Sequence, residues 1–297
     1  MLKIAKSVII CLMTNIIDGK KIAAKIEKQT AKQVALLKQK GIVPKLAVVL
    51  VGNDKPSLTY IGRKKSAAER VGIHFALYQF PTSIKKESLI QAVKDIQKDS
   101  QLSGLIIQLP LPERLYTSEV LNAINPDIDV DCLTDTNIGK LVMKTNHIEP
   151  PTPWAVIQTL KEIKFTVMGK NATIVGAGAL VGKPLAIMLI NELASVTTCN
   201  SHTKDIQKKC LEADVIISAV GKKDLITAKM VKKNTVVIDT GIAYVDGTMY
   251  GDVDFKSVSK KAQFITPTPG GIGPITVAKL LHNTAICAKK MHQLSSI

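Results

Sequence analysis

A chain of 297 residues is long enough for two domains and a large buried core. With 46% hydrophobic residues and no apolar run near the roughly 18 to 20 residues that a membrane-spanning helix needs, the composition is that of a soluble globular protein. The formal charge of +16 comes from dispersed lysines, aromatics are only 4%, and no zinc-finger or RNP-like pattern is present, which argues against a nucleic-acid module.

The chain begins with Lys3 and Lys6 ahead of an apolar stretch from Val8 to Met13, a faint imitation of a signal peptide with no A-x-A-like cleavage site behind it. Residues 1–12 therefore read as an N-terminal extension. Five cysteines, Cys11, Cys132, Cys199, Cys210 and Cys287, lack C-x-x-C spacing, so neither a metal site nor a disulfide framework is indicated and a reducing compartment is expected.

Strands are expected at Lys45 to Gly52 and Gly104 to Leu109, with helical pattern between them, and again at Asn171 to Gly176, Ser195 to Cys199, Asp214 to Val220 and Thr235 to Asp239. Strands alternating with helices imply parallel sheets and an α/β class, here in two units. The prolines at 150, 151 and 153 make Glu149 to Pro153 the natural hinge between the units, because consecutive prolines stop regular structure. If a helix begins at Ser57, Tyr60 and Lys64 follow at i+3 and i+7 on the same face. Taken alone, Lys64 reads as one more surface lysine between Arg63 and Lys65.

Gly176-Ala177-Gly178-Ala179-Leu180-Val181-Gly182 follows an expected strand and precedes an apolar helix from Leu185 to Leu193. Glycines there permit a tight turn and close approach of a pyrophosphate to helix N-terminal amides. The spacing G-x-G-x-x-x-G is one residue longer than the general dinucleotide fingerprint. Near the C-terminus, Pro267-Thr268-Pro269-Gly270-Gly271-Ile272-Gly273-Pro274-Ile275-Thr276 holds three prolines and three glycines in ten residues. Such a run is expected to be an extended loop pressing main chain against a flat ligand, with a helix from Val277 to Lys290 after it.

Four blocks in order, Asp54 to Lys64, Gln108-Leu109-Pro110-Leu111-Pro112, Asp129-Val130-Asp131 and the Pro/Gly run, resemble the bifunctional methylenetetrahydrofolate dehydrogenase/cyclohydrolase family over nearly the whole chain. The resemblance implies a folate-binding catalytic domain over residues 13–150, a Rossmann-type cofactor domain over 151–276, and a terminal segment, 277–297, returning to the first domain. It implies Lys64 as the catalytic amine, Gln108 as its orienting partner, Tyr60 as the ring that positions folate and Asp131 as the pterin anchor. Ser57, Pro269, Gly270, Gly273 and Pro274 complete the substrate site. Gly176, Ala177, Gly178, Gly182, Ser201, Gly221 and Ile242 are the implied cofactor contacts. NADP is the expected cofactor, with NAD next. Tetrahydrofolate derivatives, including polyglutamylated ones, are the expected partners of a cytoplasmic homodimer acting in one-carbon metabolism and purine biosynthesis, with no nucleic-acid or membrane partner. Two other readings stay open: a dehydrogenase without cyclohydrolase activity or preferring NAD, and a basic folate- or nucleic-acid-binding homologue without catalysis.

The chain departs from the family pattern at several points. Ala177 and Gly178 stand where relatives carry Arg-Ser, Ile128 where a lysine is common, Pro151 where a cysteine is usual, and Cys132 where the family has glycine. A small thiol at 132 is expected to be benign if its φ is negative.

Overall fold

The computed structural model describes residues 15–292, so the reading of residues 1–12 as an extension and the last five residues of the terminal segment lie outside the described residues. The chain opens with a short strand, β1 (Asn15–Ile16), and a long helix, α1 (Gly19–Gln39). It then alternates through β2 (Lys45–Val51), α2 (Lys55–Val71), β3 (His74–Phe80), α3 (Lys86–Ile96) and β4 (Leu102–Ile107), and ends the first lobe with α4 (Ser118–Leu121) and α5 (Asp135–Val142). These strands form a parallel sheet in the order β3-β2-β4. The central strand is buried at every position after Lys45, which is why it reads as an unbroken apolar run.

The second lobe runs from α6 (Pro151–Glu162) through β5 (Asn171–Val175), α7 (Gly182–Asn191), β6 (Ser195–Cys199), α8 (Ile206–Glu212), β7 (Val215–Ser218) and β8 (Val236–Asp239). A hairpin, β9 (Ala243–Val245) and β10 (Thr248–Tyr250), follows, then α9 (Phe255–Val258), β11 (Phe264–Ile265) and the terminal helix α10 (Ile272–Met291). The main sheet has six parallel strands in the order β1-β11-β8-β7-β5-β6. Helix α10 serves both lobes. It places Ile272, Ile275 and Ala278 in the core of the six-stranded sheet, and Val277, Leu280 and Leu281 in the core beneath β2 and α2.

Each sheet has a topological switch point, where successive connections leave in opposite directions and open a crevice at the strand carboxyl ends. In the first lobe it lies between β2 and β4, and in the second between β5 and β7. Both expected functional clusters sit at these points, since α2 and Gln108 follow β2 and β4 while the glycine turn and Gly221 follow β5 and β7.

Three local expectations are corrected. Helix α2 begins at Lys55, capped by the Asp54 carboxylate accepting from Ser57 N at 2.9 Å, so Ser57 lies inside the first turn. Helix α6 begins at Pro151, inside the stretch expected to be an irregular hinge. Helix α10 begins at Ile272, five residues before Val277, and takes in Gly273 and Pro274. The shared reason is that a first helical turn leaves its N–H groups unbonded, so proline costs little there and its fixed φ suits the helix. The main sheet also has two strands that the sequence did not announce, β1 and β11, each only two residues long.

Candidate active site

The N-cap at Asp54 sets the register of α2, and that register turns Ser57, Ile61 and Lys64 inward. Lys64 is only 5% exposed, and its Nζ donates to Gln108 Oε1 at 3.0 Å. Gln108 follows β4 directly, and its Nε2 donates to the Leu109 carbonyl, which leaves Oε1 facing the amine. The Lys64 ammonium also lies 4.9 Å from the centre of the Tyr60 ring. Burial pulls the Lys64 amine below the usual lysine range, while the nearby Asp131 charge pushes back the other way.

Asp131 responds in mirror image. Burial raises its carboxyl above the ordinary range, Lys64 lowers it and Asp129 raises it. The phenol of Tyr60 is also pushed up, first by burial and then by Asp131, so it stays protonated as a hydrogen-bond donor. Tyr60 and Asp131 each keep part of their surface accessible at the edge of the site, although protein surrounds them on the remaining sides.

The two aspartates of Asp129-Val130-Asp131 divide the work. Asp129 is fully buried and accepts from Leu133 N, Thr134 N, Thr134 Oγ1 and Asn137 Nδ2 at 2.8–3.0 Å, so it holds the loop. Asp131 is the carboxylate left to face the lysine. Cys132 turns the loop with φ of 55°, in the left-handed region that favours glycine. The condition for a benign replacement, a negative φ, is therefore not met. The thiol sits in a strained conformation costing on the order of 1 kcal/mol, offset in part by burial to 4% exposure.

A cavity of about 690 Å³ opens between the lobes. Tyr60, Gly62 and Arg63 line it from α2, Thr240 to Ile242 from the end of β8, and Pro267 to Pro274 with Thr276 and Val277 from the Pro/Gly run and the start of α10. Of the expected site residues, Tyr60, Pro269, Gly270, Gly273, Pro274 and Ile242 are brought to this one space. Lys64, Gln108 and Asp131 form their own cluster behind Tyr60, which belongs to both groups. Ser57 is buried on the same helix face without lining the cavity.

The expected cofactor contacts other than Ile242 lie outside this cavity, at the carboxyl ends of β5, β6 and β7. Gly176 has φ of 114°, and a Cβ on it would stand 2.3 Å from Ala219 O. A Cβ on Gly182 would stand 1.8 Å from Gly176 O. These two positions keep a close-packed cradle open against the N-terminus of α7, whose first-turn amides suit a pyrophosphate. Gly178 differs, because a Cβ there would meet nothing within 4 Å. After β6, the Asn200–Thr203 turn is closed by His202 N donating to Asn200 Oδ1 and Asn200 N donating to Thr203 Oγ1. Ser201 and His202 are exposed on it, and it contains no carboxylate.

Sequence reading missed Asp239 and Asp252. Asp252 accepts from Ser218 Oγ, Val220 N and Lys222 N, each at 2.7 Å. Asp239 accepts from Gly241, Asp252 and Val253 N–H groups, lines the cavity, and is pushed up from its ordinary 3.8 to about 6, chiefly by burial. For Asp239 the legible signal was its context, a carboxylate at the carboxyl end of a parallel strand followed by Thr-Gly, where such folds build sites; Asp252, after the β9–β10 hairpin, carried no such signal.

A doubly wound dinucleotide-binding lobe facing a lobe with a buried lysine across a shared cavity defines a two-lobed pyridine-nucleotide enzyme. Sequence comparison agrees: residues 17–131 match the tetrahydrofolate dehydrogenase/cyclohydrolase catalytic domain, and residues 150–292 match the NAD(P)-binding domain of the same family. The chain belongs to the tetrahydrofolate dehydrogenase/cyclohydrolase family. It is 45% identical over 275 residues to the bifunctional protein FolD of Nautilia profundicola, covering 92% of this chain and 97% of that one. The crystal structure of the bifunctional FolD enzyme from Campylobacter jejuni superposes with a TM-score of 0.90 at 39% identity, covering 93% of this chain and 99% of that one. The Trypanosoma brucei FolD structure, solved with NADP and an inhibitor, superposes with a TM-score of 0.89 at 34% identity, covering 93% and 98%.

Proposed function

We propose that this protein oxidises 5,10-methylenetetrahydrofolate to the methenyl form with NADP and then hydrolyses that product to 10-formyltetrahydrofolate. The observation that carries the reading is the Lys64 amine, buried, lowered in pKa, and bonded to Gln108 at 3.0 Å beside Tyr60 and Asp131. NADP, when bound, accepts the hydride released from the methylene carbon, so the protein needs no nucleophile for that step. The Gly176–Gly182 cradle and the carboxylate-free turn at Ser201 hold the cofactor, and absence of a repelling acid in that turn supports NADP over NAD.

Oxidation leaves a cationic methenyl carbon whose hydrolysis requires proton handling. Lys64, held toward its neutral form, takes a proton from the attacking water and returns it as the ring opens. Gln108 keeps the amine in place through Oε1, and Tyr60 positions the ligand ring at the cavity edge. Asp131 accepts paired hydrogen bonds from the aminopyrimidine edge of the pterin. The Pro269–Pro274 wall offers close main-chain contact on the opposite side.

The same reading takes the protein to be a cytoplasmic homodimer whose product serves purine synthesis, with polyglutamylated folates drawn to its basic surface. No helix among the described residues is long and apolar enough to cross a membrane. Incubation with methylenetetrahydrofolate and either NADP or NAD, following methenyl absorbance as it rises and then decays, tests the central claim. Absence of the rise removes the dehydrogenase, and a rise without enzyme-dependent decay removes the cyclohydrolase. Sedimentation of the pure protein tests the dimer.

A further inference from the structure

One face of α10 carries Thr276, Lys279 and Asn283, at i, i+3 and i+7, and each reaches across to another segment. Thr276 Oγ1 lies 3.2 Å from Thr152 Oγ1. Lys279, only 3% exposed, pairs with Glu149 at 3.0 Å and lies over the Trp154 ring at 4.5 Å. Asn283 is fully buried, and its Nδ2 donates twice, to the Val130 carbonyl at 2.9 Å and the Glu149 carbonyl at 2.8 Å. Its Oδ1 has no partner. A buried amide with an unbonded oxygen is costly, and this one spends both donors on carbonyls that no aliphatic side chain could hold.

The Val130 carbonyl belongs to the peptide plane that leads directly into Asp131. Rotating that plane rotates Asp131, because the preceding C=O and the φ of Asp131 move together. Asp129 pins the far side of the loop through Leu133 and Thr134, and Cys132 turns it with positive φ, but neither bonds the Val130 carbonyl. Helix α10 can approach this closely because β4 has Gly104 there, where a Cβ would stand 2.9 Å from Val130 Cγ1 and 3.0 Å from Thr284 Oγ1. The first turn of the same helix lines the cavity at Gly273, Pro274 and Thr276.

We infer that Asn283 is a positioning residue for folate recognition: it fixes the peptide plane ahead of Asp131 through one N–H and ties the linker at Glu149 through the other, setting the pterin-facing carboxylate in register with the cavity wall that α10 itself supplies. The inference rests on the reading of Asp131 as the pterin anchor.

A double-mutant cycle tests it. The variants Asn283→Ala, Asp131→Asn and the pair are compared by folate KM, kcat for the dehydrogenase and NADP Kd. Asn283→Ala is expected to raise folate KM about tenfold, the equivalent of one buried hydrogen bond, with kcat and NADP Kd within about twofold of the parent. In the Asp131→Asn background the same substitution is expected to change KM by less than about twofold, since the group it positions is already lost. Asn283→Ser, which keeps one donor, should fall between parent and alanine variant, and it takes the place of the alanine variant in the cycle if that chain does not fold. An equal KM effect in both backgrounds, or NADP Kd and kcat worsening in step with KM, overturns the inference and leaves Asn283 a structural residue. An unchanged KM in Asp131→Asn alone overturns the anchor reading, and the inference with it.

Discussion

Restoring an arginine and a serine to the cofactor turn, as Ala177→Arg with Gly178→Ser, should sharpen preference for NADP without disturbing the fold. Gly178 has open space where its Cβ would be and does not require positive φ, so serine fits. Ala177 is partly exposed, leaving a longer side chain free to extend over the turn. The Asn200–Thr203 turn carries no carboxylate to capture the new guanidinium. A charge-assisted hydrogen bond from that guanidinium to a 2′-phosphate is worth about 1.5–3 kcal/mol. At roughly 1.4 kcal/mol per factor of ten, the NADP-to-NAD ratio of kcat/KM should rise about tenfold to a hundredfold. The ratio is measured by methenyl absorbance at fixed ionic strength, because salt screens the attraction. Unchanged thermal stability with an unmoved ratio would refute the reasoning, showing that position 177 does not face the adenosine ribose.

Four further outcomes follow from the same geometry. Lys64→Met should abolish methenyl hydrolysis while folate still binds, because the hydrocarbon stem remains and the proton-carrying amine is gone; near-normal decay of methenyl absorbance would remove Lys64 from catalysis. Asp131→Asn removes the charge that raises the Lys64 pKa, so, beyond weaker folate binding, the acid limb of the hydrolysis pH profile should move to lower pH; a shift upward would contradict the assignment. Gly182→Ala places a methyl group against the Gly176 backbone and should cost several kcal/mol or displace the turn, at least about 3 kcal/mol in denaturant unfolding, whereas Gly178→Ala should be neutral. Asp239, raised from 3.8 to about 6, contributes stability that is complete below 3.8 and lost as pH rises through about 6. Relative to the parent, Asp239→Asn should therefore gain roughly 2–3 kcal/mol of stability between pH 4 and 7, read from unfolding midpoints, and a flat difference across that range would remove Asp239 as the titrating group.

Spacing made a shared helix face legible in the sequence, because a 3.6-residue period maps Ser57, Tyr60 and Lys64 onto one side of a helix wherever that helix starts. Taken alone it left Lys64 a surface lysine, and only the family resemblance gave that face a role. The start itself, two residues earlier at Lys55, depends on an Asp54 cap that propensity reading passed over. Burial of Lys64 was not legible. It depends on Gln108, which follows a strand that pairs with the one ahead of α2, and on a loop 67 positions further along the chain at Asp131, contacts that only the β2–β4 switch point brings together. Prolines misled the reading twice for one reason: their rigidity was taken as a break, whereas in Pro151 and Pro274 it opens a helix. Strands of two residues, β1 and β11, carry too little periodicity to be seen, yet they complete the sheet that seats the cavity wall.

Cys132, where the resemblance leads one to expect glycine, adopts a backbone conformation that favours glycine. Glycine at this point would enter the left-handed region at no steric cost, and the cysteine enters it regardless, with φ of 55°. Its neighbours over-determine the turn: Asp129 bonds the two following N–H groups at 133 and 134, Asn283 holds the Val130 carbonyl, and the thiol packs in the core beneath β2 and α2. Strain on the order of 1 kcal/mol is small against three such constraints, each of comparable size. The side chain that follows glycine in no other respect is thus forced to follow it in backbone, and Asp131 stays near enough to Lys64 for each charge to act on the other, in a loop held from both ends rather than by the residue next to it.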